Sequence, residues 1–478
     1  MTRGAMLFAI LLLLGTVGLL LAPGNKRIVA DEITFTVWGA PFEDRLFKDI
    51  YAEGYDAMTP EVSVDYQRHA DVNMKYNAWH ARGLGAEVMR LRITDYHMMV
   101  QRGMLEPLTP YINDPERGLS AAELAAFPQG IMETLTVDGK LYALPEDSAQ
   151  FGLYYNRAIF DAYNAAHPDD PIDYPSERWT WDDLRTAARK LTQRGDGVEQ
   201  EVSGIDLFLW EWPFMHFFLQ AGGELWDEDE TTTRINSDAG VAALEFLAGL
   251  VNDGSWQPFF GRMGMVGPDV RFVTGHTAML LSGSWWVANF QLHNPDLDFA
   301  VAPPPRGVSD RCIAGSVLWG MSSQAPNKDA GWDMIRWLVQ EPQALAYWDT
   351  LRVAPPAHTG VIASDAFRST SGVPAPGRPG EYLVPPMRPE DFDDQAAWLL
   401  VQLLPDPATG EARATIPATL YQTYLERQIG EMFRDQIREA DQFTPERARQ
   451  RLEAVARAVH DHIDRDRAAR GLPPVVRP

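Results

Sequence analysis

From Ile33 onward the chain switches repeatedly between two hydrophobic periods. Ile33, Phe35 and Val37 recur at every second position, and Phe42, Leu46, Ile50 and Tyr51 follow at helical spacing as far as Thr59-Pro60. Val62, Val64 and Tyr66 make a second alternating run. Asn73 to Gly83 suits a helix, Val88 to Leu91 is a third strand, and Thr94-Asp95 opens another helix. Strand-helix units in succession predict a parallel sheet wound by right-handed crossovers, since a parallel neighbour is reached only over the sheet face. Ligands of such sheets sit beyond the carboxyl ends of the strands. Trp38, Arg92 and Asp95 occupy those ends and are the first candidate ligand contacts.

The stretch Gly139 to Tyr163 predicts a strand, a loop and a second strand. Leu141 to Leu144 is short and apolar, Pro145 stops the ladder, and Phe151 to Tyr155 resumes with bulky residues that suit a buried pleat. Between them Glu146, Asp147, Ser148 and Gln150 place hydrogen-bonding side chains on irregular backbone. They read either as a solvated loop or as a crossing between two bodies with a cleft beside it, which makes Asp147 and Gln150 candidates. The chain has 478 residues. Single cores stop growing near ~250–300 residues, so two or more lobes are expected.

Further on, Thr180 to Asp183 is a capping box for a helix with Leu184, Ala187, Ala188 and Leu191 as its stripe. Trp210 to Leu219 is dense in aromatic residues and interrupted by Pro213, and Asp227 to Glu230 reads as a hydrated hairpin tip. Ser237 caps another helix. His276 to Phe290 predicts a strand, a Ser282-Gly283-Ser284 turn, and a helix starting at Trp285-Trp286. Phe299 to Ala302 and Val317 to Met321 are strands, and Asn327 caps a helix. Gly372 to Pro389 predicts a long irregular loop, and Thr415 to Glu439 and Thr444 to Arg470 are terminal helices.

The formal net charge is -24, and the first thirty residues hold basic but no acidic side chains. An acidic body argues against nucleic acid or anionic lipid as a partner. Cys312 is the single cysteine, so neither an intrachain disulfide nor a thiolate metal cluster is available. The histidines lack ligand spacing, and Asp227 to Glu230 lacks the glycine and glutamate of a calcium loop. Neither metal nor other cofactor is expected. Ala5 to Ala22 is uncharged, with Arg3 before it and Lys26-Arg27 after it. Residues 1–30 therefore read as a signal peptide or an N-terminal membrane anchor, and the body as periplasmic or otherwise extracytoplasmic.

Eight segments in one order carry a resemblance: TFTVWG from Thr34, RGMLEPL from Arg102, GKLYALPEDSAQFGLYYNRAIF from Gly139, WTWDDLRTAARKLT from Trp179, FLQAGGELWD from Phe218, GHTAMLLSGSWW from Gly275, FAVAPPPRG from Phe299 and AGWDMIRWL from Ala330. Together they resemble the family 1 extracellular solute-binding proteins, the sugar receptors of ABC importers. The resemblance implies an α/β fold of two lobes, each a mainly parallel sheet flanked by helices, that close about hinge crossings on a mono- or oligosaccharide. It implies delivery to an ABC permease of the inner membrane by a monomer that is not an enzyme. Residues 31–147 with 308–346 would form one lobe and residues 148–307 with 347–478 the other. The crossings would fall near Asp147, Val308 to Gly315, and Tyr347.

A sugar presents apolar C–H faces and a rim of hydroxyls, so its site needs flat rings and polar side chains that replace water. Trp285 stands where the family commonly puts a stacking ring. Trp210 and Trp212 complete the candidate set with Trp38, Arg92, Asp95, Asp147 and Gln150. Alternatives are a receptor for a polyol or glycerol phosphate, a sensor with a different membrane partner, and a glycan-cleaving enzyme. The last needs two carboxylates about 5–9.5 Å apart across the sugar. Glu146 and Asp147 suit that poorly, since neighbouring strand residues point to opposite faces.

Overall fold

The computed structural model describes residues 32–194, 200–260, 267–287, 290, 293–352, 354–369, 373–374, 382–384, 414–415 and 418–477. The apolar leader lies outside them. Of the expected loop from Gly372 to Pro389, only two short paired strands, Val373–Pro374 and Tyr382–Val384, are described.

In chain order the strands that build the two main sheets are β1 (Glu32–Val37), β2 (Ser63–Arg68), β3 (Val88–Arg92), β4 (Ala143–Pro145), β5 (Ala149–Asn156), β6 (Asp206–Leu207), β7 (Met279–Gly283), β8 (Phe299–Ala302), β9 (Cys312–Gly315), β10 (Val317–Gly320) and β11 (Ala414–Thr415). The first sheet has the order β2-β1-β3-β10-β4, and the second β6-β7-β5-β9-β11, with β8 also paired to β5. β1 pairs with β2 and β3 in parallel, as the alternation predicts. Both sheets are mixed: β10 runs antiparallel to β3 and β4, and β5 antiparallel to β7, β8 and β9.

The helices that matter for the site are α1 (Val72–His80), α2 (Ile93–Gln101), α3 (Trp181–Leu191), α4 (Glu211–Gln220), α5 (Asp238–Asn252), α6 (Lys328–Leu338), α7 (Glu341–Leu351), α8 (Gln422–Arg438) and α9 (Pro445–Ala469). The turn after β1 has π pitch over Arg45–Ala52 and buries Leu46, Phe47, Tyr51 and Ala52. The Thr180 capping box is formed, with Asp183 closing it, and the α3 stripe is buried as its periodicity requires.

Two principal cores result. Phe35, Phe47, Trp319 and Trp332 centre one against the first sheet. Phe151, Phe214, Leu244, Leu281, Leu425 and Leu452 centre the other, which is where the terminal helices α8 and α9 pack. Burying large side chains on both sheets stabilises each half at roughly 1.5–3 kcal/mol per residue.

The chain leaves the first sheet at Glu146–Ser148 and returns at Ser316. The return lies later than Val308 to Gly315, because Cys312 to Gly315 is first held as a strand between β5 and β11. Tyr347, Leu351 and Ala357 join the first core rather than the second half. α7 is pinned there by Tyr51, whose hydroxyl donates to the Gln343 carbonyl at 2.7 Å. Ala418 packs with Met89 and Leu91 on the first sheet, and the following α8 lies on the second core, so the chain crosses again at that point.

Candidate ligand-binding site

β5 presents Phe151 toward α4, and two tryptophans gather around it, with a third beside them. Trp212 lies 5.7 Å from Phe151, Trp285 lies 5.9 Å from Phe151 nearly edge-on, and Trp212 and Trp285 meet at 5.9 Å and 71°. Trp210 stands 6.4 Å from Trp285. All three are half-buried. Pro213 does not interrupt this stretch. It falls in the first turn of α4, where the missing N–H has no helical partner to lose.

Trp285 sits in a single 3₁₀ turn, Ser284–Trp286, directly after β7. Two glycines clear the space for the rings: a Cβ on Gly283 would stand 2.0 Å from the Trp285 ring, and one on Gly315 would stand 2.6 Å from the Trp212 ring. Trp286 belongs to a stacked column with Phe208 and Phe290, and Trp210 stacks on Phe208 in the same column at 4.6 Å.

The remaining candidates lie on the first half or on the crossings. Trp38, at the end of β1, is half-buried, and the Arg90 guanidinium sits 4.7 Å from its ring centre. Arg92 is half-exposed and donates through Nε to Asp95 at 3.0 Å. Asp95 is buried and also accepts from Asn73 of α1 at 2.6 Å. Opposite them stands the start of α8, where the Thr423 hydroxyl donates to the Thr94 carbonyl at 2.9 Å. Glu426, one turn further along α8, faces Glu211 of α4, Asp95 and Arg92. Burial, and then the Glu211 charge, push its carboxyl up to about 8. Burial also raises Glu211, against the pull of Arg434 and Arg92. A carboxyl held neutral, as Glu426 is below about pH 8, can donate as well as accept hydrogen bonds.

Asp147 is engaged within the crossing. Its Oδ1 accepts from the Val317 N–H at 2.8 Å, its Oδ2 from the Tyr347 hydroxyl at 2.8 Å, and its carbonyl from the Ser316 hydroxyl at 2.6 Å. It laces the two crossings to α7. Gln150 is fully buried on β5; its amide donates to the Ser148 hydroxyl at 3.3 Å, and its Oε1 has no protein partner among the described residues. The indole N–H groups of Trp38 and Trp210 are likewise buried and unpartnered among them.

The structure thus brings Trp210, Trp212 and Trp285 together on the second half, and Trp38, Arg92 and Asp95 at the strand ends of the first. Sequence reasoning missed Phe151 and Arg90 as the residues that organise the rings. It also missed Glu211 and Glu426, although Glu211 lies between two candidate tryptophans. A cavity of about 450 Å³ is lined by His97, Glu133 and Thr134 on one side and Trp226, Glu230 and Arg311 on the other, and none of the sequence-predicted site residues lines it. Trp226 links the two regions: its indole donates to Gln422 at 2.9 Å, and Gln422 donates to Glu426 at 3.1 Å. The expected hairpin tip forms part of the cavity wall, with Asp227 accepting from the Thr231 and Thr232 N–H groups.

Comparison with known proteins gives this geometry a context. The chain is similar to the maltotriose-binding protein of Pyrococcus abyssi, with 22% identity over 64% of this chain and 62% of that one. It is also similar to a putative binding protein of Brucella abortus, with 24% identity over 51% of this chain and 55% of the relative. The matches to these curated relatives thus span between half and two thirds of their length. Among solved structures, the ABC substrate-binding protein Lmo0181 from Listeria monocytogenes in complex with cycloalternan matches with a TM-score of 0.70 and 20% identity, over 92% of this chain and 99% of that one. An ABC transporter solute-binding protein from Thermotoga lettingae bound with alpha-D-tagatose matches with a TM-score of 0.71 and 18% identity, over 91% and 100%. The fold is therefore the two-lobed one of such proteins. The model of the bacterial extracellular solute-binding proteins matches residues 49–375, more than half of the sequence, and the chain belongs to that family.

Proposed function

We propose that this protein is the extracytoplasmic receptor of an ABC importer, capturing an oligosaccharide between its two halves and releasing it unchanged to a permease. The observation that carries this reading is the group of half-buried rings in which Trp285 meets Phe151 and Trp212 edge to face and Trp210 stands beside it, at a boundary where the opposite half presents polar groups. Flat rings take the C–H faces of a sugar, and Arg92, Asp95, Glu211 and Glu426 exchange hydrogen bonds with its hydroxyls. The neighbouring cavity gives room for more than one sugar unit.

In this reading Asp147 braces the hinge and does not touch the ligand. The lobes are the bodies built on the two sheets, and closure is their rotation about Glu146–Ser148 and Ser316, the hinge motion by which periplasmic binding proteins shut around their ligands. Among the described residues no helix is long and apolar enough to cross a membrane.

The test is a thermal-shift panel of maltotriose, lactose, tagatose and glycerol phosphate, followed by chromatography of the recovered ligand. A sugar at 100 times its dissociation constant stabilises by about 2.7 kcal/mol and is recovered intact. Cleaved sugar would establish an enzyme instead, and a shift with glycerol phosphate alone would move the assignment to a non-sugar solute.

A further inference from the structure

We infer that Arg90 is a positioning residue: it fixes the Trp38 ring for the ligand and ties that ring to the hinge crossing at Glu146. The inference rests on the receptor reading above. Arg90 lies on β3 with its side chain 3% exposed. Its guanidinium is sandwiched between the rings of Trp38 and Phe47, 4.7 and 4.5 Å from their centres. Nη1 donates to the Trp38 carbonyl at 2.7 Å and to Glu43 at 3.3 Å, while Nε donates to Glu146 Oε2 at 2.8 Å.

Glu146 is the first residue of the crossing. Its N–H donates to the Val317 carbonyl in the return crossing, and its carbonyl accepts from the Ala357 N–H. One planar fork therefore holds both a candidate stacking residue and the pivot on which the halves turn. Lysine, a single point charge, does not reproduce that grip. Packing alone gives no reason for the charge, since apolar residues of similar volume commonly replace buried ion pairs at no loss of stability.

The second oxygen of Glu146 is buried and has no protein partner among the described residues. Glu146 also borders a cavity of about 10 Å³ shared with Tyr51, Tyr347 and His358, about the space of one water. The groups that face this carboxyl are Arg90 from β3, Glu43 from the turn after β1, Asp147 beside it, Tyr51, Tyr347 of α7, and His358. Burial raises Glu146 and Arg90 pulls it back down. Protonating Glu146 weakens its hold on Arg90, and through Arg90 it alters the setting of Trp38.

The experiment uses the full chain labelled with ¹⁵N-tryptophan, with the Trp38 indole signal assigned by its loss in Trp38→Phe. Between pH 6 and 9 that signal moves in the parent and stays still in Glu146→Gln, and Arg90→Lys displaces it at every pH. Calorimetry with maltotriose shows about tenfold weaker binding for Arg90→Lys, and the Arg90→Lys, Trp38→Phe double variant binds no more weakly than Trp38→Phe alone. The inference is overturned if Glu146→Gln leaves the pH course of the Trp38 signal unchanged, or if the two affinity losses multiply. Should Arg90→Lys not fold, the near-isosteric Glu146→Gln decides by its spectrum alone. A parent that ignores maltotriose counts against that sugar as ligand, and the indole signal still decides the coupling.

Discussion

The hinge crossing and the tryptophan group both lie where the two halves meet, and both place polar atoms out of water, yet they use those atoms in opposite ways. In the crossing, both carboxylate oxygens and the carbonyl of Asp147 are taken by Val317, Tyr347 and Ser316. In the ring group the indole N–H of Trp210 has no protein partner among the described residues, and the same holds for Trp38 on the facing half. A buried polar group without a partner costs about 1–3 kcal/mol. A ligand that accepts from these indoles would offset the cost, whereas the acceptors of Asp147 are already engaged within the protein. Commitment of hydrogen bonds therefore separates Asp147 from the ring group, although Glu146 beside it keeps one buried oxygen open.

Breaking the brace should produce the largest effect. Asp147→Ala removes the carboxylate that accepts from the Val317 N–H and the Tyr347 hydroxyl, leaving the latter buried without an acceptor while the Ser316 bond to the backbone carbonyl survives, so a loss of about 3–5 kcal/mol is expected in urea unfolding of the apo protein. Breaking the ring group should do the reverse. Trp285→Ala abolishes the stabilisation by maltotriose and costs the apo protein less than about 2 kcal/mol, since the ring is only partly buried. If Trp285→Ala destabilises the apo protein as much as Asp147→Ala does, the ring is core and the contrast between the two regions fails.

A pH series sharpens the comparison at the contact across the halves. Glu426 is raised from its ordinary value to about 8, by burial first and by Glu211 second. Between roughly pH 4.5 and 8 the folded protein then holds a proton that the unfolded chain has released, so stability falls as pH rises through that window and levels off above it. Glu426→Gln should flatten this slope in melts from pH 5 to 9 and melt higher than the parent at pH 8. An unchanged slope would show that Glu426 is ionised in the fold.

Much of the architecture was legible because it rests on periodicity. The alternation from Ile33 to Val37 and the α3 stripe from Leu184 to Leu191 each face one core, and burial follows the pattern directly. Of the candidate site, the rings and the strand-end pair Arg92 and Asp95 were legible. Trp285 announces itself after a Gly-Ser turn and Trp212 in an aromatic-dense stretch, but the glycine that makes room for Trp212, Gly315, lies more than a hundred positions away, and only the fold brings them into contact. Arg90 was invisible because it sits inside a strand that reads as apolar, and its partners Glu43 and Glu146 come from distant segments. The return crossing lies later than local sequence suggests for a similar reason: Cys312 to Gly315 pairs with strands at positions 149–150 and 414–415, and local sequence carries no record of either.

The smallest effect is expected from an ion pair that resembles the brace in chemistry alone. Arg449 of α9 donates to Asp238 at 2.5 Å, a shorter contact than Arg90 makes with Glu146, yet their side chains are 44% and 95% exposed. Water already solvates both charges and mobile ions screen them, while two long side chains lose freedom to meet, so the pair contributes under about 0.5 kcal/mol. Arg449→Ala should therefore leave the urea midpoint and maltotriose binding unchanged within error. Arg90→Ala, with the longer but dry contact, should lose several times more stability because it leaves Glu43 and Glu146 buried without their common partner. Equal losses from the two variants would mean that contact length, and not burial with shared partners, sets the strength of ion pairs in this protein.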